Sequence, residues 1–177
     1  MNNGQQERRL SNPVRFTLGS NLSSGLDGAW WPYSVSIARE LSGLTAALRD
    51  PLGEVIDIGV NWSSLQGVAD LDLFHRRGVA AMPGPATSQL RVMTIIGSRA
   101  RANLLVIPCR TSIALAVMLL RQAADLPVLY VHQHTPAYEA ASVIVRAART
   151  QGAPLAAPAT AQTESVTISS SRSSVVN

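Results

Sequence analysis

The clearest alternation of apolar and polar positions in this chain lies between Glu54 and Trp62. Apolar side chains recur there at every second position, namely at Ile56, Ile58, Val60 and Trp62. Side chains two residues apart point to the same face of a strand. The run therefore predicts a strand with these four side chains on one face.

Shorter runs of the same kind predict further strands. Residues 14–18 alternate apolar and polar side chains, and Gly78 to Met82 predicts a short strand before a Pro-Gly-Pro turn. Leu90 to Ile96 and Ala102 to Ile107 are β-rich and are separated by five residues, 97–101. That spacing predicts an antiparallel hairpin.

A different period marks the first helix. Apolar residues follow one another at spacings of four, three and four at Ile37, Leu41, Leu44 and Leu48, which is one stripe of an α-helix. Pro32 suits a helix entrance and Ser34 is a candidate N-cap. The helix is expected to stop before Asp50-Pro51, because proline disfavours helical geometry in the residue before it.

Two more helices are predicted in the second half of the chain. Thr111 or Ser112 caps a helix that runs to about Ala124 and is apolar on most sides. A further helix begins at Thr135-Pro136 and ends near Thr150. It has an acid in its first turn and arginines in its last, and charges at these positions interact favourably with the helix dipole. Between them, Leu126 to Val131 is β-prone, and Pro127 makes it an edge strand if it is a strand at all.

These elements predict an α+β fold in the order β-α-β-β-β-β-α followed by a third helix. We expect a mostly antiparallel sheet of about five strands with two or three helices packed on one face. Residues 1–12 are polar and predict a mobile arm, 13–150 a single domain, and 151–177 a disordered tail rich in Ala, Pro, Ser and Thr.

Composition narrows the possible chemistry. The longest uninterrupted apolar run, Ile113 to Leu120, is too short for a membrane span. All fifteen basic residues are arginine, so chemistry that needs a lysine, such as Schiff-base formation, is excluded. The single Cys109 cannot form an internal disulfide, which favours a reducing cytoplasm.

Two adjacent tryptophans stand out in a chain that is otherwise poor in aromatic residues. Asp27-Gly28 predicts a turn, and Trp30 and Trp31 follow it before the first helix. One interpretation is that the indoles fill the seam between helix and sheet. The other is that an exposed indole, with Asn61 and Trp62 nearby, forms a recognition surface. Because adjacent side chains of an extended backbone point to opposite sides, each interpretation can apply to one ring.

The double tryptophan also carries a family resemblance. The block Leu26-Asp27-Gly28-Ala29-Trp30-Trp31-Pro32, preceded by Arg15-Phe16-Thr17-Leu18 and followed much later by Asn103-Leu104-Leu105-Val106-Ile107-Pro108, resembles an actinobacterial family classed as a domain of unknown function. The similarity spans roughly residues 14 to 125. The resemblance implies a cytoplasmic actinobacterial protein and no assigned activity.

Three groups of residues are alternative sites. His132 and His134 have the spacing of two metal ligands on a strand, with His75 or Glu139 as a third ligand. Cys109 precedes a helix start, where a thiol is activated by the helix dipole, but the sequence places no base beside it.

The third group is made of arginines. Arg76 and Arg77, with Arg99 and Arg101 in the hairpin loop, would contact phosphates if the chain bound nucleic acid. The chain has few aromatic side chains that would stack on bases.

The leading hypothesis from the sequence is a non-enzymatic cytoplasmic binding or regulatory module. It would contact an unidentified protein partner through Asp27, Trp30, Trp31, Asn61 and Trp62. No catalytic residue, cofactor or membrane contact is predicted. The alternatives are a small-ligand or metal-dependent enzyme that uses His132, His134 or Cys109, and association with nucleic acid through arginine.

Overall fold

The computed structural model describes residues 13–22, 25–62, 67–73 and 90–152. The strands in these residues are β1 (Phe16–Leu18), β2 (Gly28–Trp30), β3 (Val55–Val60), β4 (Val92–Gly97) and β5 (Arg101–Val106). The helices are α1 (Ile37–Leu52), α2 (Ile113–Ala123) and α3 (Pro136–Gly152), with a short 3-10 turn at Tyr130–His132.

The five strands form one sheet in the order β1-β2-β5-β4-β3. All neighbouring pairs are antiparallel except β2 and β5, which run parallel. The α+β class with a mostly antiparallel sheet is therefore confirmed, as are the β4–β5 hairpin and the strand at β3. The parallel pair was not expected, and it positions the site described below.

Two helices, α2 and α3, pack on one face of the sheet, in line with the expectation, and α1 covers the other face. Alternate residues of the central strands join two separate apolar clusters, because neighbouring side chains of a strand point to opposite faces. The α1 cluster contains Trp30, Leu44, Leu48, Leu52, Met93, Ile95, Ala102, Leu104 and Val106. The α2–α3 cluster includes Ala29, Trp31, Leu105, Ile107, Leu115, Leu119, Ala141 and Ile144.

Asp27-Gly28 was expected to form a turn, and Gly28–Trp30 is instead an inner strand of the sheet. Gly28–Trp30 pairs with β1 on one side and with β5 on the other. A Cβ atom on Gly28 would lie 2.0 Å from the carbonyl oxygen of Thr17, so the missing side chain lets β1 approach. The observed order of described elements is accordingly β-β-α-β-β-β-α-α.

Both ends of α1 differ from the prediction. The N-cap is Ser36, since the Glu40 carboxylate accepts hydrogen bonds from the backbone amides of Tyr33 and Ser34 and holds that segment outside the helix. At the other end the helix continues through Pro51 to Leu52. Burial of Leu52 and hydrogen bonds from Arg99 to the carbonyls of residues 49 and 50 outweigh the local effect of proline.

Two further details differ from the sequence pattern. Ile56 is exposed and does not share the face of Ile58, because the β3–β4 register shifts between Val55 and Asp57. The segment Leu126–Val131 is not a strand, and its last two residues belong to the 3-10 turn. Helix α3 extends to Gly152.

The remaining predictions for segments lie outside the described residues. They concern residues 1–12, the strand at Gly78–Met82 and the tail beyond Gly152. Among the helices that the structure describes, none combines the length and the apolar character needed to cross a bilayer.

Candidate functional site

The parallel pair β2–β5 creates a gap at the edge of the sheet where both strands end. After β2 the chain leads to α1 on one face of the sheet, and after β5 it leads to α2 on the other face. When the chains that follow two neighbouring parallel strands go to opposite faces of the sheet, a crevice forms between the strand ends. Ligands bind in this crevice in open α/β sheets.

Backbone hydrogen bonds hold the walls of this gap in place. The amide of Ile107 donates to the carbonyl of Trp30 at 2.8 Å, which extends the parallel pairing by one step. The amide of Val106 donates to the carbonyl of Arg91 at 2.8 Å, so Arg91 lies beside the end of β5. The amide of Thr111 donates to the carbonyl of Pro108 at 3.0 Å and closes a turn before α2.

We call this gap the switch-point cleft, and it has a volume of about 460 Å³. Much of its wall is apolar and includes Pro32, Val35, Ile37, Val106, Ile107 and Pro108. The polar side chains that line it are Ser34, Asp70, Asp72, Arg91, Arg110 and Thr111, and Cys109 also lines it. A mainly apolar concavity of this size with a few polar groups is typical of a small-molecule site.

The two carboxylates of the cleft are engaged by the protein itself. Asp72 is buried and accepts two hydrogen bonds from Ser112, one from the amide at 2.9 Å and one from the hydroxyl at 2.6 Å. Asp70 accepts a hydrogen bond from the amide of Asp72 at 3.0 Å. These contacts tie the segment before residue 73 to the start of α2 and form one wall of the cleft.

Two neighbouring polar groups of the cleft are not engaged in this way. Thr111 is only 6% exposed, yet its hydroxyl oxygen has no hydrogen-bond partner among the described residues. Buried polar groups are nearly always hydrogen-bonded. Arg110 is exposed at the mouth, and within the described parts of the chain its guanidinium makes no hydrogen bond or ion pair. Both groups belong to the turn that follows β5.

The tryptophans that the sequence singled out are both buried, so the expected exposed indole is wrong. Trp30 is 1% exposed in the α1 cluster and Trp31 is 7% exposed in the α2–α3 cluster. The guanidinium of Arg15 lies 3.6 Å from the Trp31 ring centroid and 3.9 Å from that of Tyr33, and it donates to the carbonyls of Trp31 and Pro32. Adjacent side chains of an extended backbone point to opposite faces of the sheet. Because helices cover both faces, each ring is buried in a different layer.

The other three residues of the predicted recognition surface have structural contacts. Asp27 is buried, and its carboxylate accepts a 2.8 Å hydrogen bond from the amide of Asn103. Asn61 bonds through its side chain to the backbone of Leu90 and Val92, which continues the β3–β4 pairing. Trp62 packs on the α1 cluster, as Trp30 does. Trp30 and Trp62 thus belong to the same apolar cluster and not to an exposed surface.

The alternative metal site is not assembled by the described residues. His132 and His134 are exposed, and the His134 ring meets the edge of Tyr130 at 5.5 Å between centroids. In the described ranges no three His, Cys, Asp or Glu side chains are placed to hold a metal ion. His75 lies outside those ranges. Cys109 is half-buried in the cleft, and neither His132 nor His134 lines that cleft.

Of the four arginines of the nucleic-acid alternative, the structure describes Arg99 and Arg101. Arg99 is held on the carbonyls of residues 49 and 50, and Arg101 is exposed at the start of β5. Arg76 and Arg77 lie outside the described residues.

The cleft was not among the sites predicted from the sequence. Thr111 was predicted only as a helix cap and Cys109 only as a nucleophile, and Arg110 belonged to no predicted site. The available signal was a β-rich run, a Pro-Cys-Arg-Thr turn and a helix start in direct succession, which is the pattern of a strand end that faces a ligand. The partner strand β2, which completes the cleft, was not recognisable as a strand.

The comparisons with known proteins place the chain in a family without assigning an activity. No curated protein and no solved structure is found to be similar to it. A family model, described as a family of unknown function (DUF5994), matches residues 15–123, a range that contains the whole sheet, α1, α2 and the turn with Thr111. The chain therefore belongs to the family of unknown function DUF5994.

Proposed function

We propose that this protein is a binding module that takes a small, largely apolar molecule in the switch-point cleft. The observation that carries the proposal is the parallel β2–β5 pair, whose chains leave to helices on opposite faces and open a cleft of about 460 Å³. Pockets of a few hundred cubic ångströms lined mainly by apolar groups bind small molecules in other proteins.

The packing around the cleft supports a preformed site. Its floor is the end of two inner strands whose residues are buried, and one wall is held by the Asp72–Ser112 contacts. At its rim Val35 is 77% exposed, so apolar surface continues outside the cleft. A rigid concave site loses little conformational entropy when a ligand binds.

The protein partner expected at the double tryptophan is not part of this proposal, because both indoles are buried. For the setting we propose the cytoplasm of an actinobacterium. The single cysteine and the absence of lysine support it.

Cys109 provides a direct test of the proposal. It is the only cysteine in the chain and lines the cleft, so its alkylation by N-ethylmaleimide reports access to that site. The probe is N-phenyl-1-naphthylamine, an uncharged apolar dye whose fluorescence rises on transfer from water. We expect saturable binding of the dye and an alkylation rate of Cys109 that falls as the dye saturates.

A matched pair of variants controls for non-specific adsorption. Val35→Trp places a bulky ring at the rim of the cleft and is expected to weaken dye binding. Val131→Trp changes the same residue type at similar exposure, 74% against 77%, at a position that does not line the cleft, and is expected to bind as the native protein does. Equal binding by both variants, or unchanged alkylation at saturating dye, contradicts the proposal.

A further inference from the structure

We infer that the ligand of the switch-point cleft carries an anionic head, a carboxylate or a group of similar chemistry, on an apolar body. This inference rests on the proposed function and assigns the head to Thr111 and Arg110. Both groups lie on the turn that follows β5 and line the cleft.

The hydroxyl of Thr111 is the first reason. Thr111 is 6% exposed and its oxygen has no hydrogen-bond partner among the described residues. Leaving a buried hydroxyl unbonded is costly, and a ligand oxygen that accepts its proton removes that cost. A threonine hydroxyl can donate or accept, so this point of the cleft requires a polar ligand atom, and the neighbouring Arg110 guanidinium, which only donates, favours an acceptor.

The balance of charge is the second reason. The Asp72 carboxylate is occupied by the amide and hydroxyl of Ser112, and Asp70 by the amide of Asp72. Arg110 forms no ion pair with any described residue. Asp70 and Asp72 keep their charges but have hydrogen-bond partners in the protein, whereas Arg110 has none among the described residues and, with the Thr111 hydroxyl, can hold an anion.

The third reason is the position of Arg110 relative to the apolar wall, which includes residues of the α1 side as well as Val106, Ile107 and Pro108. Pro32, Val35 and Ile37 lie on the α1 side of the cleft, whereas Arg110 and Thr111 lie at the start of α2. A ligand that spans the cleft would therefore place an apolar body against the α1 side and its charged end against the α2 side.

The test compares two dyes that differ only in the anionic group. 8-Anilino-1-naphthalenesulfonate is N-phenyl-1-naphthylamine with a sulfonate added to the naphthalene ring. On the full-length native protein we expect the sulfonate dye to bind at least about threefold more tightly than the uncharged dye and to protect Cys109 from alkylation, since a charge-assisted hydrogen bond stabilises the anion.

Variants separate the role of each group. Arg110→Gln should remove most of the advantage of the sulfonate dye and leave the uncharged dye unaffected, whereas Arg101→Gln, at the opposite end of β5, should change neither. Thr111→Val should weaken the sulfonate dye, and Thr111→Ser, which keeps the hydroxyl, should restore its binding. Circular dichroism and thermal unfolding identify any variant that is misfolded.

The outcomes distinguish this inference from the proposed function. If the uncharged dye binds and protects Cys109 at least as well as the sulfonate dye, the anionic head is wrong and the cleft remains a binding site. If Arg110→Gln leaves the sulfonate dye unaffected, the assignment of the head to this turn is wrong. If neither dye protects Cys109 in the native protein, both the inference and the proposed function are overturned.

Discussion

At the scale of single residues, the double tryptophan shows how position in the sheet decides the role of a side chain. Trp30 and Trp31 are neighbours in the chain, yet each ring belongs to a different apolar cluster on a different face. An inner strand between two helical layers offers no solvent-facing side. The most conspicuous aromatic residues of the sequence therefore serve the core, and the candidate site uses the less conspicuous Arg110 and Thr111.

Gly28 allows a prediction at this scale. A Cβ atom there would lie 2.0 Å from the backbone carbonyl oxygen of Thr17, and the strands would have to separate. We expect Gly28→Ala to lower the free energy of unfolding by at least about 2 kcal/mol, as overpacking against backbone does. Urea denaturation measures the change.

Gly25→Ala is the control for this prediction, because a Cβ atom at Gly25 meets nothing within 4 Å. It should change the free energy of unfolding by less than about 0.5 kcal/mol. Similar losses in the two variants would show that close approach of β1 to β2 is not what requires glycine at position 28.

At the scale of elements, contacts between segments set the helix ends as much as local sequence does. Arg99 from the β4–β5 turn bonds to the carbonyls of residues 49 and 50, and α1 continues through its proline. Asp72 bonds to Ser112 at the start of α2, where Ser112 makes no side-chain capping bond of its own. A carboxylate from a distant segment thus replaces the local cap.

The contact of Asp72 leads to a second prediction. Asp72→Ala removes both hydrogen bonds to Ser112 and the negative charge at the N-terminus of α2, so we expect a loss of about 1–2 kcal/mol of stability. Thermal unfolding of the variant and of Glu54→Ala, which changes an exposed acid, provides the comparison. A transition temperature for Asp72→Ala equal to that of Glu54→Ala would contradict the capping role.

At the scale of the whole molecule, the part matched by the family model does not contain the whole core. The match ends at residue 123, and α3 follows it at residues 136–152. Five residues of α3 that are no more than 3% exposed belong to the α2–α3 cluster, namely Ala140, Ala141, Ile144, Val145 and Ala148. In this chain α3 therefore covers a face of α2 and the sheet that would otherwise be open to water.

Truncation tests the contribution of α3. A chain that ends at Asp125 should lose cooperative urea unfolding, because the apolar surface of α2 that α3 buries becomes exposed to water and hydrophobic burial is the main stabilising term. A chain that ends at Gly152, which keeps all three helices, is the reference. Cooperative unfolding of the shorter chain at the same urea concentration would show that the family-matched region folds without α3.

The sequence alone determined those elements whose signal is local. Alternation between Glu54 and Trp62 identified β3, and the paired runs around residues 97–101 identified the β4–β5 hairpin. Helical periodicity identified α1, and cap residues, apolar character and terminal charges identified α2 and α3 to within a few residues. The α+β class followed from these elements, and the resemblance to a family of unknown function is confirmed by the family model that matches residues 15–123. In each case the pattern lies within a short stretch of chain, because a strand or helix imposes its own period on the residues it buries.

Only the tertiary structure decided what depends on distant partners. β2 has three residues, too few for a period, and it is a strand because β1 and β5 pair with it. Its register with β5 joins Gly28 to Leu104, residues far apart in the chain. That parallel pairing directs α1 and α2 to opposite faces, buries both indoles and opens the cleft at Thr111. Such a pairing is specified by the packing of both faces together, and no single segment of the sequence contains it.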